Sequence, residues 1–472
     1  MRSRRSRVVP IGYMAAVTAL AACVRTEQVL VDIPNYDDPP TAAQGFLGYT
    51  NSESKTPVCG NCHVGQNAEW KNTRHAQAWA DLQASGNATA ACENCHSVGA
   101  KGNKVTDVLV GYAATKDKRY EDVQCESCHG PGLEHVTNPD ATQPLATLLV
   151  GTELTSGCGE CHQGTHTPFV EEWSQSRHAA VGTSPQSRVE CQPCHEARGI
   201  LAAWGVKANY LEKDQTAPIP ITCPVCHDPH DPTNAHQLRF PINVANVEVN
   251  LCMKCHHNRS IPDPNSSRGP HSPQGPLLLG EAGWQPPGFA YPGTKIVATH
   301  GTQANPELCA GCHVSNFDVT DPATGTFVFH ATGHLFNAIP CLDAQGKPTT
   351  DDSCQLSERT FKACAVSGCH GSDVAARSAF IVTRGRLDDL VVTANALLAQ
   401  VPASEFKTGD DLITVGEGAK FNVGLANMDG STVHNPFLVE ALMTASIKEL
   451  MTTYGLSAPS GISLQNLLDP GT

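Results

Sequence analysis

The sequence predicts a fold of mostly irregular coil with short α-helices, little β-structure and a helical C-terminal tail. Three observations favour this class. The 472-residue chain is only 40% hydrophobic and 6% aromatic, which is little for a large aliphatic core. Its 40 Gly and 33 Pro interrupt regular structure. Its 21 Cys and 21 His indicate that something other than aliphatic side chains fills the interior.

Composition and charge disfavour two classes of protein. No run of about 18 apolar residues follows the N-terminal segment, which excludes a polytopic membrane protein. The net charge of −14 argues against nucleic acid as a partner, because nucleic acid requires a basic surface.

The N-terminus predicts export. A cationic stretch to Arg7 precedes an apolar segment, Val8–Ala22, of the length of a signal-peptide core. The string Leu-Ala-Ala-Cys that ends at Cys23 resembles the lipobox of bacterial lipoproteins, and Val24 after it favours the outer membrane. An ordinary signal peptide with an incidental Cys23 is the alternative. Either interpretation places the mature protein in an oxidising compartment. We assign residues 1–22 to the signal peptide and 23–56 to a tether.

Eight segments read Cys-x-x-Cys-His, where chance would give about 0.04 in a chain of this composition. In this pattern the two thiols add to the vinyl groups of haem, and the adjacent His binds the iron from one face. Zinc ribbons, disulfides and thioredoxin-like motifs do not require a His after every second Cys. We number the motifs in chain order: Cys59/Cys62/His63, Cys92/Cys95/His96, Cys125/Cys128/His129, Cys158/Cys161/His162, Cys191/Cys194/His195, Cys223/Cys226/His227, Cys252/Cys255/His256 and Cys309/Cys312/His313.

A ninth motif is looser. Cys364 and Cys369 precede His370 but are separated by four residues instead of two. We interpret them as a ninth haem site, with a disulfide beside an unrelated His as the alternative. Cys341 and Cys354 then remain, and an even pair in an exported protein predicts a disulfide.

The motif spacing predicts a duplication. The first Cys of the first six motifs recurs every 33 residues and finally after 32. The string Glu-Trp-x-x-x-Arg-His-Ala occurs at 69–76 and again at 172–179. We therefore expect three-haem modules over 57–157 and 158–245, followed by a divergent three-haem region over 246–380 and a helical tail over 381–472.

Twelve His outside the motifs are candidates for the second axial position of nine irons. Met is scarce after the signal segment, so bis-histidine ligation, with its low potentials, is the economical expectation. In the first copy of the repeat, His75, Trp79 and Leu82 share one face of a predicted helix. The preferred second ligands are His75, His178, His135, His230, His334 and His434. The others are His166, His236, His257, His271, His300 and His330.

The cysteine-free tail contains two helical patterns. The segment Arg386–Gln400 is amphipathic, and Phe437–Tyr454 follows His434 and ends before Gly455. We expect these helices to cap the last haems, with His434 donated from the tail.

The motifs make the chain resemble exported multihaem c-type cytochromes, especially outer-membrane lipoprotein cytochromes of metal-reducing bacteria. The stretches Cys-Glu-Ser-Cys-His-Gly-Pro-Gly from Cys125 and Cys-Gly-Glu-Cys-His from Cys158 are also similar to the cytochrome c554 group. The resemblance implies closely packed haems that pass electrons one at a time, with little regular structure between them.

Electron transfer through about nine haems c is therefore the expected function. The expected partners are redox proteins that act as donor and acceptor, and candidates include a porin-like outer-membrane protein and an external metal acceptor. The alternative is a multihaem oxidoreductase acting on a small nitrogen or sulfur species at one open haem. Twelve His for nine positions favour electron transfer.

Overall fold

The computed structural model describes residues 38–150, 157–164, 167–289, 295–321, 323–366, 369–457 and 459, which belong to one compact unit. The predicted signal peptide, the lipidation candidate Cys23 and the ligand candidate His166 lie outside these ranges. Within them, no helix has the length and apolar character needed to cross a membrane.

In the described part of the chain most α-helices are short, and the strands form only two-stranded antiparallel pairs, β1 with β2, β3 with β4 and β5 with β6. The predicted class, irregular coil with short helices and little β-structure, is thus confirmed. The helices are α1 Val64–Trp70, α2 Ala78–Ala84, α3 Glu93–His96, α4 Gly111–Thr115, α5 Cys125–His129, α6 Leu133–Thr137, α7 Phe169–Gln175, α8 Gln192–His195, α9 Ala197–Ala203, α10 Cys223–Cys226, α11 Gln274–Leu278, α12 Cys309–His313, α13 Asp373–Leu398, α14 Val415–Ala426, α15 Ser431–His434 and α16 Pro436–Tyr454. The strands are β1 Tyr49–Asn51, β2 Thr56–Pro57, β3 Phe317–Thr320, β4 Phe327–Ala331, β5 Cys341–Leu342 and β6 Pro348–Thr349.

The tail is a helical unit with its own aliphatic core. Helices α13, α14 and α16 bury Leu390, Leu425 and Leu442, with no exposed surface on these side chains. The predicted segment Phe437–Tyr454 lies within α16, whereas Arg386–Gln400 overlaps the end of α13, which stops at Leu398. Helix α13 also begins early enough that residue 381 falls inside it. Helix α14 was not predicted, because its three Gly weaken a helical pattern. Tertiary packing and a Thr414–Glu417 capping box stabilise it instead.

The repeated string makes equivalent contacts in both copies. The Trp70 indole donates a hydrogen bond of 3.0 Å to the carbonyl of Val123, and the Trp173 indole donates one of 2.8 Å to the carbonyl of Ile221. The same two residues donate their amides to the carbonyls of His75 and His178, at 3.1 and 3.0 Å. Each Trp thus fixes its following His beside the segment that enters the third or the sixth motif.

The prediction of one helical face from His75 to Leu82 was wrong. His75 lies in a 3₁₀ turn, His75–Gln77, and α2 begins only at Ala78. The backbone at Gln77 departs from helical angles, with φ −117° and ψ 3°. Trp79 consequently packs on Tyr112, with ring centroids 4.4 Å apart.

The predicted disulfide is confirmed. Cys341 and Cys354 are bonded, and they close a loop of 13 positions around the β5–β6 pair.

Candidate haem-binding sites

The cysteine motifs share one local conformation. The amide of the motif His donates a hydrogen bond to the carbonyl of the first Cys, which closes a single turn and brings the two thiols to one side of the chain. This bond measures 2.9 Å at His63, 3.0 Å at His162 and 3.1 Å at His256. None of the 18 motif Cys takes part in a disulfide, whereas Cys341 and Cys354 are paired.

The ninth motif adopts the same closure despite its two extra residues. The His370 amide donates to the Cys364 carbonyl at 3.3 Å, and the Cys369 amide donates to the Val366 carbonyl at 3.1 Å. The extra residues therefore enlarge the turn without removing its closing hydrogen bond.

Eight of the nine motif His face a second His across a gap of nearly constant width. The ring centroids are 6.0–6.5 Å apart. The pairs are His63–His135, His129–His230, His162–His75, His195–His271, His227–His334, His256–His178, His313–His434 and His370–His300.

This width fits an iron with two axial imidazoles. Metal–nitrogen bonds of about 2.0 Å on opposite sides place the two nitrogens about 4 Å apart, and each ring centroid lies about 1.1 Å further out. The expected separation is about 6.2 Å, the middle of the observed range. Direct contact between rings would allow shorter distances.

The structure places all six preferred second His opposite motif His, although several pairs cross the expected module boundaries. His75 from the first module faces His162 of the second, and His178 faces His256 of the divergent region. Sequence reasoning did not prefer His271 and His300, which face His195 and His370. Position along the chain could not identify them, because neither follows a repeated string.

The remaining candidates have other surroundings. His330 lies on β4 and hydrogen-bonds through Nδ1 to Asp318 at 2.7 Å. His257 uses Nδ1 against the Met253 carbonyl, and the His236 carbonyl accepts from His227 at 2.8 Å. The second motif differs in that His96 bonds to the Ala78 carbonyl at 3.1 Å, and no second His among the described residues faces it.

Backbone carbonyls fix the tautomer of several paired His. The Nδ1 atom of His300 hydrogen-bonds to the Val433 carbonyl at 2.8 Å, and that of His313 to the Phe336 carbonyl at 3.0 Å. His135 and His129 use the carbonyls of Thr142 and Leu145 in the same way. A carbonyl accepts only from N–H, so Nδ1 carries the proton and Nε2 is left as the metal-binding nitrogen.

Burial keeps four of the second His neutral. It lowers the pKa of His75, His178 and His334 to about 4, with smaller contributions from neighbouring His. Burial also lowers the pKa of His434 to about 3, assisted by His313 and His256. Neutral imidazole is the form that binds iron, so these positions are ready for ligation across the physiological pH range.

The tail holds His434 in place through a crowded turn. Gly430 has φ +88°, and a Cβ there would lie 2.5 Å from Cε1 of His434. The Asn435 amide group then donates to the carbonyls of Leu277 and Ile296, at 3.0 and 2.7 Å, which ties the turn to the preceding region. Only Gly fits this contact between backbone and imidazole.

The Cys side chains of different motifs lie near enough to influence one another. Interacting thiols join motif 1 to 3 through Cys59 and Cys125, and motif 2 to 4 through Cys95 and Cys161. The other links are Cys128–Cys158 (motifs 3 and 4), Cys158–Cys223 (4 and 6), Cys194–Cys255 (5 and 7), Cys226–Cys252 (6 and 7), Cys252–Cys309 (7 and 8) and Cys312–Cys369 (8 and 9). Every motif therefore adjoins at least one other.

Comparison with known proteins agrees with this chemistry. Residues 58–130, which contain the first three motifs, match the family model of cytochrome c554 and c-prime. A solved structure titled outer cell wall cytochrome OcwA is similar, with 18% identity and a TM-score of 0.49, over 76% of this chain and 75% of that one. No curated protein matches the chain significantly.

The repeated motifs, the paired His and the match over the first motifs define the class of the protein. It is a multihaem c-type cytochrome, whose cofactor is haem c and whose general activity is electron transfer.

Proposed function

We propose that this protein conducts electrons through a connected array of nine haems c. The observation that carries the proposal is the set of eight His–His pairs with ring centroids 6.0–6.5 Å apart. The motifs that hold these His lie near one another along the array from motif 1 to motif 9. When bound, haem supplies an iron that alternates between two oxidation states. The chain sets the spacing and ligation of the irons and their insulation from solvent.

In this proposal each motif holds one haem by its two Cys and binds the iron through its His. The facing His of the eight pairs provide the second ligands, including His271 and His300. Bis-histidine ligation leaves no position for a substrate, and the uniform 6.0–6.5 Å separation supports it at all eight sites. At the second motif, Cys92 and Cys95 would hold the haem and His96 would bind its iron.

We further propose that the protein is exported and anchored to the outer membrane by lipid on Cys23. The N-terminal sequence and the Cys341–Cys354 disulfide support an oxidising compartment. The partners would be a donor and an acceptor redox protein, with a porin-like protein or an external metal as candidates for the acceptor side.

Three measurements on the purified holoprotein test the proposal. Its mass should exceed that of the chain by nine haems, and a redox titration should show reversible uptake of about nine electrons. The oxidised protein should give low-spin ferric signals from the eight paired sites. A high-spin haem at one of these pairs, binding nitrite or hydroxylamine, would contradict it and favour the enzyme alternative.

A further inference from the structure

The fifth motif is a side position in the network of motif contacts. Among the Cys neighbours described above, the one of this motif belongs to motif 7, where Cys194 lies beside Cys255. The His rings show the same relation between motifs 5 and 7, because His256 of motif 7 is close to both His195 and His271. The second motif is attached to motif 4 in the same way, through Cys95 and Cys161. Motifs 1, 3, 4, 6, 7, 8 and 9 form a continuous line without either of them.

Three Arg surround this side position. An Nη of Arg188 lies 3.2 Å from the thiol of Cys191. The carbonyl of Arg259 accepts a hydrogen bond from the His271 amide at 3.4 Å, and Arg268 precedes His271 by three residues on the same loop. Arg188 and Arg268 are exposed, and Arg259 is half-buried.

The positive charge is only partly neutralised. Glu190 lies 3.6 Å from Arg188, and Asp263 is the acidic residue of the loop that carries Arg268. Across the part of the chain that the structure describes, Arg259 and Arg268 form no ion pair. They instead repel each other, which contributes to a lowered pKa of Arg259. This excess of positive charge is local, because the whole chain has a net charge of −14.

The second motif gives the internal comparison. Two of its basic neighbours are paired with carboxylates, Arg74 with Asp81 at 2.9 Å and Lys116 with Glu93. Near Cys95, Lys101 is accompanied by the carboxylate of Glu160. The basic groups beside the second motif thus have acidic neighbours, whereas Arg259 and Arg268 beside the fifth form no ion pair among the described residues.

The loop that carries these groups has a constrained backbone. Arg259 and Ser272 have φ of 38° and 47°, in a region that costs residues other than Gly roughly 1 kcal/mol or more. The Arg259 carbonyl accepts a hydrogen bond from the His271 amide at 3.4 Å, and its Nε donates to Gly269 at 3.2 Å. These bonds keep the Arg side chains and the His on one loop in a fixed arrangement.

We propose that the fifth motif is the docking point for the acidic face of a redox protein, which exchanges electrons with the array through this side branch. The inference rests on the proposed electron-transfer function. Two of the Arg are exposed and they stand on separate loops, which suits a protein surface more than a small anion, since small-ligand sites are concave and enclose their polar groups. Charge complementarity of this kind accelerates encounter and orients the partner.

The test compares charge reversal at the exposed pair with a matched control. The variant is R188E/R268E, and the control is K407E/K448E, which reverses two exposed Lys of the tail. Stopped-flow absorbance follows electron transfer from reduced flavodoxin, an acidic one-electron donor, to each holoprotein. Calorimetry measures binding of oxidised flavodoxin, independently of electron transfer. Ferricyanide and basic mitochondrial cytochrome c serve as further probes.

We expect R188E/R268E to lower the bimolecular rate with flavodoxin about tenfold at ~10 mM salt and to weaken binding in parallel. Both effects should disappear near 0.5 M salt, where surface charges are screened beyond about 4 Å. The rate with cytochrome c should not fall, and the control should retain most of the wild-type rate with flavodoxin.

Several results would overturn the docking proposal. An equal loss in K407E/K448E would show a general charge effect. A loss with ferricyanide but not with flavodoxin would indicate a small-anion site. A shifted midpoint potential without a changed salt dependence would show that the Arg serve the haem propionates. In each of these cases the electron-transfer function would still hold if the wild-type protein takes up about nine electrons reversibly in a redox titration. If the wild-type protein shows no reversible uptake, the electron-transfer function itself is wrong.

Discussion

Removal of the His434 side chain tests the assignment of paired His most directly. His434 reaches His313 from the tail, with ring centroids 6.1 Å apart. The H434A variant leaves His313 and the two Cys of motif 8 untouched, so the haem should stay attached while its iron loses one axial ligand. Water or an empty position then replaces a strong-field imidazole, and that iron becomes high-spin.

The expected size of the high-spin signal follows from the number of haem sites. One iron in about nine changes spin state, so the high-spin band should correspond to on the order of one-ninth of the total haem. The variant should bind one more equivalent of cyanide or carbon monoxide per protein than the wild type does. Loss of the buried ring also costs about 2–4 kcal/mol in the free energy of unfolding, by analogy with large-to-small core substitutions. Added imidazole should restore the low-spin spectrum, because it fills the space of the deleted ring.

The matched control is H330A. His330 faces no motif His among the described residues and bonds only to Asp318 on the neighbouring strand. Its removal should leave the spin state of every haem as it is in the wild-type protein. Electron paramagnetic resonance and haem-to-protein mass ratios distinguish the outcomes. If the haem at motif 8 of H434A stays attached and low-spin, His434 is not its axial ligand. A ring-centroid separation of about 6 Å would then no longer identify axial ligands at the other seven pairs.

Four further changes extend the test. G430A should shift the His434 ring and give a partial high-spin signal at the same haem, because the new Cβ would lie 2.5 Å from Cε1; the spectrum should match a weakened form of H434A. C92A/C95A should remove one haem and preserve electron transfer along the main line, whereas C158A/C161A should interrupt it, and flash-induced transfer rates separate these results. C341S/C354S should lower stability by roughly 3 kcal/mol, the value for closing a loop of this length, measured by denaturant unfolding under non-reducing conditions. Burial raises the pKa of Glu126 from 4.5 to about 7, so between these pH values the folded protein holds a proton there that the unfolded chain has released. The stabilisation from this proton, up to roughly 3 kcal/mol, is present below pH 4.5 and is lost as the pH rises through 7. The difference in unfolding free energy between pH 5 and pH 8 should therefore be smaller in E126Q than in wild type.

Much of the site could be predicted because its chemistry is local. A five-residue motif contains both thiols and the first iron ligand, so Cys59, Cys62 and His63 are recognisable without any knowledge of the fold. The disulfide was found by counting, since Cys341 and Cys354 remained when the motifs were removed. The repeated Glu-Trp-x-x-x-Arg-His-Ala string marked His75 and His178 as special, and both face motif His.

Other features could not be predicted from local patterns. Helix α14 was missed because three Gly obscure its periodicity, although burial of Leu425 and Ala419 against the neighbouring helices stabilises it. His271 and His300 have no repeated context, and only the folding of distant loops places them opposite His195 and His370. The one-helix interpretation of residues 75–82 was wrong because the hydrogen bond of His75 to Val123 favours a 3₁₀ turn at that point.

The sequence by itself determined the class of protein and the low share of regular structure, and its cysteine motifs predicted nine attachment sites, because covalent haem attachment requires residues that are neighbours along the chain. Tertiary structure decided which His faces which motif, as with His313 and His434, 121 positions apart. It also decided which motifs are neighbours in space and which Arg side chains lie beside the fifth motif. An axial ligand needs only to reach the far side of an iron, and any loop of sufficient length can supply it, so its position along the chain is free while its position in space is not.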